Sequence, residues 1–90
     1  LLFNDDLEHI GNYAFWGCDM PFQINLPTEL TQIGEFAFSG SKLEGELIIP
    51  EKCLNIGEYA FSGCSLSKLV LPERLEVIMK EIKKYLVGVE

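Results

Sequence analysis

The chain has 90 residues, 48% of them hydrophobic, with 14 acidic and 7 basic side chains for a net charge of −7. That length holds one domain with a modest core, and the apolar content excludes a disordered chain. The acidic balance gives no electrostatic attraction to nucleic acid or an anionic membrane, and no apolar run approaches the roughly 18 residues of a membrane span.

Taken in chain order, the sequence is one unit repeated. Leu1-Leu2-Phe3-Asn4-Asp5-Asp6-Leu7 fits the frame of Leu47-Ile48-Ile49-Pro50-Glu51-Lys52-Cys53 further on, so the sequence begins in mid-unit and reads as a fragment of a larger protein. Next comes Leu7-Glu8-His9-Ile10-Gly11-Asn12-Tyr13-Ala14-Phe15-Trp16-Gly17-Cys18, which returns as residues 30–41 and again as 53–64. The isoleucines at 10, 33, 56 and 78 set steps of 23, 23 and 22 residues, and six of the eight glycines and three of the four prolines fall in register. A fixed period of this length is the signature of a solenoid, whose units bury a core only by stacking.

Each twelve-residue segment is followed by a short apolar element ending in proline: Ile24-Asn25-Leu26-Pro27, Leu47-Ile48-Ile49-Pro50 and Leu69-Val70-Leu71-Pro72. Period-two alternation turns Leu1/Phe3, Ile24/Leu26, Leu47/Ile49 and Leu69/Leu71 inward, and proline ends the strand because it has no N–H for a ladder. The expected fold is an α/β solenoid with short parallel strands at about 1–3, 24–26, 47–49 and 69–71, joined through short helical turns. Gly11, Gly34 and Gly57 suit corners needing positive φ or close backbone approach. Gly17, Gly40 and Gly63 suit the ends of the helical turns. Between them, Phe15, Phe38 and Phe61 are expected to stack as an aromatic ladder, with Tyr13, Phe36 and Tyr59 as a more peripheral row.

After Ile78 the pattern fails. Val77, Ile78, Ile82, Tyr85, Leu86 and Val89 follow helical spacing with lysines 80, 83 and 84 on other faces. The organisation expected is therefore a solenoid over 1–78 and, over 79–90, a C-terminal amphipathic helix capping the stack or a truncated further unit. Terminal units of repeat proteins are atypical for this reason.

Chemistry-bearing residues are sparse. His9 is the one histidine, and its counterparts Gln32, Asn55 and Val77 suit a surface slot rather than a catalytic base. No Ser–His–Asp set is assembled by spacing, the glycines are spread over corners instead of forming a phosphate loop, and three cysteines with one histidine lack zinc spacing. Asp5, Asp6 and Glu8 form the densest acid cluster, which reads as a solvated turn, with a weak hard-cation site as the alternative. Cys18 and Cys64 occupy one repeat position two units apart, roughly 10 Å at a strand spacing of about 4.8 Å. That is beyond disulfide reach, so three unpaired, mostly buried thiols are expected. No catalytic residue, metal site or cofactor is assigned, and the chain is not expected to be an enzyme.

The unit Leu-x-x-Ile-Gly-x-x-Ala-Phe-x-Gly-Cys followed by a strand ending in proline resembles the BspA-like leucine-rich repeat over about residues 1–78. Ser41 for cysteine, Cys53 for leucine and Trp16 for a small residue are the departures. The resemblance implies a right-handed superhelix with a parallel sheet on one side, and an adhesion or protein-recognition role on a cell surface or in secretion. It further implies a protein partner such as a host matrix or cell-surface protein. It supplies no binding motif to carry over. The platform expected from the architecture is the sheet face, with Leu2, Asn25, Ile48 and Val70 outward and Gln23, Glu46 and Lys68 beside them. Trp16 and Phe22 flank the first turn as a second possible patch. A structural spacer without a ligand, and an accessory domain of an extracellular enzyme, are the alternative functions. An unpaired strand at 1–3 is a template for a homodimer.

Overall fold

The computed structural model describes residues 3–20 and 23–78. Its elements are β1 (His9–Ile10), β2 (Gln32–Ile33), β3 (Glu44–Ile48), β4 (Asn55–Ile56), β5 (Ser65–Val70) and a short helix α1 (Glu73–Ile78). The strands form two parallel ladders on different sides of the stacked coils. One joins β1, β2 and β4 in that order, pairing Ile10 with Ile33 and Ile33 with Ile56. The other joins β3 to β5, pairing Leu47 with Leu69 and Ile48 with Val70. The structure is thus a set of repeat coils with short parallel strands, and the two ladders do not close into a complete superhelix.

Two expectations need correction, and a third falls outside the described residues. Among the described residues, the sheet expected over four units forms between the second and third coils alone. Ile24–Leu26 lies outside any ladder, Phe3 is not in a strand, and Leu1 and Leu2 lie outside the described residues. A second ladder runs through His9, Gln32 and Asn55, where only a return corner was expected. The expected helix at 79–90 also lies outside the described residues. The helix that is seen, Glu73–Ile78, falls within the stretch assigned to the solenoid.

The expected short helical turns are instead chains of tight turns, for a reason visible in the hydrogen bonds. In the first coil the N–H groups of Ala14, Trp16 and Cys18 donate to the carbonyls three residues back, Gly11, Tyr13 and Phe15. The intervening N–H groups of Tyr13, Phe15 and Gly17 turn outward along the stack to the Glu35, Ala37 and Ser39 carbonyls at 2.8, 2.7 and 2.9 Å. The second coil repeats this toward Glu58, Ala60 and Ser62. A helix would consume every amide within its own coil. Alternating them satisfies the backbone and also binds one coil to the next.

That alternation places Tyr13, Phe36 and Tyr59 at φ of 60°, 55° and 58°. Gly34 and Gly57 have no positive φ but do permit close approach. A Cβ on Gly34 would lie 2.5 Å from the Asn12 backbone nitrogen, and one on Gly57 would meet the Glu35 backbone.

Inside the coils lies a continuous core of Leu30, Ile33, Phe38, Leu43, Leu47, Ile49, Cys53 and Phe61. Both aromatic rows form. Phe15, Phe38 and Phe61 stack at 5.2 and 5.5 Å with nearly parallel planes. Tyr13, Phe36 and Tyr59 stack at 5.1 and 5.2 Å. Polar atoms in this core are matched across coils: Ser39 Oγ meets Ser62 Oγ at 2.9 Å, and the Cys64 thiol donates to the Phe38 carbonyl at 3.0 Å. All three cysteines are free, with Cys53 and Cys64 buried. Cys18 is exposed, so two of the three thiols are buried, in line with the expectation of mostly buried thiols. The position is closed only where another coil is stacked before it, as happens at Cys64.

Candidate functional site

The feature that distinguishes one side of the molecule is a break between the first and second coils. Backbone bonds join these coils from Thr31–Glu8 through Gly17–Ser39 to Met20–Ser41, at 2.7 to 3.2 Å. Beyond that point, no backbone hydrogen bond joins residues 23–30 to residues 43–53. The second and third coils stay bonded on this side through the whole of β3 and β5, ending with the Ile49 N–H on the Val70 carbonyl at 2.8 Å. The result is an open groove of about 370 Å³ lined by Gln23, Ile24, Asn25, Leu26, Thr28, Glu46, Ile48 and Pro50.

Two local features lie beside the opening. Gly45 has φ of 74°, and the β3–β5 register shifts between Gly45 and Glu46. The extra residue is Ser67 on β5, and an irregularity of this kind bends the strand that carries it. The Gln23 side-chain amide fills the space above Gly45, 3.5 Å from where a Cβ would stand. The three cross-coil ion pairs Lys42–Asp19, Lys52–Glu29 and Lys68–Glu46, at 3.1, 2.6 and 3.7 Å, are all exposed. Pairs of this kind contribute at most about 1 kcal/mol each, so they do not decide whether the groove closes.

Of the residues expected on this platform, the structure brings Gln23, Asn25, Glu46 and Ile48 to one groove. Ile48 is 60% exposed, a large aliphatic side chain in open solvent. Lys68 is exposed beside Glu46. Val70 sits next to Ile48 in register but is half-buried, so the apolar row is shorter than expected. Leu2 lies outside the described residues. Of the second patch, Trp16 is 60% exposed and meets Tyr13 edge-on at 6.4 Å, whereas Phe22 lies outside the described residues.

A second hollow, of about 340 Å³, lies along the three-stranded ladder, lined by Asn12, Gln32, Gly34, Glu35, Asn55 and Gly57 among others. Sequence reasoning missed it. The signal was present in the polar column His9, Gln32, Asn55 beside the buried isoleucines. Among the described residues no group of three or more His, Cys, Asp or Glu side chains is arranged to hold a metal ion, and no helix is long and apolar enough to cross a membrane.

Neither a curated protein nor a solved structure matches the chain. A family model does, that of the BspA type leucine-rich repeat region (6 copies), over residues 1–85. With this match spanning nearly the whole sequence, and the stacked coils carrying its Ile-Gly and Ala-Phe positions in register, the chain belongs to the BspA-type leucine-rich repeat family.

Proposed function

We propose that this chain is a protein-recognition module, and that the groove between the first and second coils is where its partner docks. The observation that carries the reading is Ile48, 60% exposed at the lip of a groove whose flanking backbones are not bonded to one another. An isolated exposed aliphatic residue needs no explanation, but one set beside an open concavity with several convergent polar groups marks an interaction surface. The family is one of repeat modules often used for protein interaction, and its members are typically surface or secreted proteins. Adhesion to a host matrix or cell-surface protein, from within a larger secreted or surface-anchored chain, is the biological setting proposed. No catalytic step is assigned to any side chain.

The test is capture of purified extracellular-matrix proteins and cell-surface ectodomains on an array by the 90-residue chain. Ile48→Asp is expected to weaken capture at least tenfold while leaving the urea midpoint nearly unchanged, because the side chain is solvent-facing. Val70 is unsuitable for the same substitution, being half-buried. Capture that is absent, or that survives Ile48→Asp unaltered, would remove the groove as the docking site and favour a spacer role.

A further inference from the structure

We propose that the groove takes an extended, basic segment of the partner as an added β-strand, bonded through its main chain to the free edge of β3. This rests on the groove being the recognition site and specifies how recognition occurs there. Along β3, backbone groups alternate between the two edges. The Ile49 N–H reaches Val70 on the β5 side, so Leu47 and Ile49 serve β5, while the N–H and C=O groups of Glu46 and Ile48 point into the groove. In the parallel pattern of β3 and β5, the main-chain groups they would meet one repeat earlier are those of Ile24 and Leu26, and no bond joins them.

An edge with unmet donors and acceptors is the template on which an extended chain adds. Among the described residues the same two coils are bonded through β1 and β2 and through the tight turns, and the second and third coils are bonded on both sides. The groove is open and of about 370 Å³, the scale of a short backbone segment rather than a folded domain or a single ion.

The exposed Ile48 side chain supplies one apolar contact for the incoming strand. Charge selects its composition. Lys42, Lys52 and Lys68 are each matched to an acid. Glu44 on β3 and Glu51 just beyond it have no ion-pair partner among the described residues, and residues 1–51 hold nine acids against one lysine. A cationic peptide is therefore the occupant favoured.

The experiment displays heptapeptides with lysine at both ends and randomised centres against the full 90-residue chain. Enriched members are then synthesised in ordinary form and with alternate backbone nitrogens methylated, which keeps the side chains and deletes strand donors. Strand addition predicts at least tenfold weaker binding of the methylated form, a similar loss when the lysines become glutamates, and slowing of Ile48 amide exchange by tenfold or more on binding. The Leu47 and Ile49 amides, already in the ladder, should change little. Equal binding of both backbone forms, or no enrichment at all, overturns the proposal. So does an Ile48 amide that exchanges in the free chain as slowly as Leu47, since residues 23–26 would then occupy the edge themselves. If protein capture is still lost in Ile48→Asp while methylation has no effect, recognition at the groove stands and strand addition alone falls.

Discussion

Phe36 sits at φ 55° between two ring neighbours. A non-glycine residue in that region costs roughly 1–2 kcal/mol. Each stacked pair returns about 0.5–1.5 kcal/mol, and the cross-coil bond from the Phe36 N–H to the Glu58 carbonyl at 3.0 Å would be lost if the turn relaxed. This balance predicts an inverted substitution order. Both Phe36→Ala and Phe36→Gly should destabilise, but glycine should be the milder by about 0.5–1 kcal/mol, because it alone is at ease with positive φ. Urea melts that rank alanine above glycine would show that the backbone relaxes once the ring is gone.

Cys53 offers a second test at the same scale. Burial pushes its thiol up from 9.0 to about 11, partly offset by its contact with the Asn55 backbone. The unfolded chain therefore gives up this proton first as the pH rises. Stability linked to Cys53 is intact below pH 9 and is lost between 9 and 11. Urea midpoints measured across that window should fall further in the parent chain than in Cys53→Val, in which other titrating groups are unchanged.

At the scale of elements, two-residue strands such as His9–Ile10 cannot persist alone. Their existence depends on the coils before and after them, and on the phenylalanine ladder that fixes the coil spacing. Phe38 is fully buried between Phe15 and Phe61. Phe38→Ala should cost about 3–5 kcal/mol, measured by chemical denaturation. A loss below about 1 kcal/mol would mean that the ladder is not what holds the coils in place.

The same element scale explains why the groove exists. The second and third coils pair along the length of β3 and β5, whereas the first and second part after Met20 and Ser41. The β3–β5 register shift beside Gly45 and the Gln23 side chain lying over that glycine mark where they diverge.

For the whole molecule, charge is distributed unequally, and its sign decides the response to salt. Residues 1–51 carry nine acids and one lysine. The three ion pairs are exposed, so screening them removes little, while screening the acid surplus relieves repulsion between stacked coils. The melting temperature should therefore rise by a few degrees, about 2–5 °C, between about 0.02 and 0.3 M sodium chloride. A fall over that range would show that the cross-coil pairs outweigh the repulsion.

The sequence by itself determined the repeat, its period, the inward residues Leu47 and Ile49, the two aromatic rows and four of the residues that line the groove. These follow from periodicity, and each stacked unit imposes the same burial on the same position. Only the tertiary structure decided which strands pair. Ile24-Asn25-Leu26-Pro27 and Leu47-Ile48-Ile49-Pro50 look alike as sequence, yet one stays unpaired and the other enters a ladder. Pairing depends on how closely the neighbouring coil approaches, which the segment's own residues do not encode. The positive φ of Tyr13, Phe36 and Tyr59 was likewise invisible in the sequence, since aromatic residues avoid that region unless cross-coil bonds and stacking hold them in it. Ile48 was already a candidate on the outward sheet face, but only the structure set it beside a groove. An apolar residue at an outward strand position says nothing of what lies across the edge.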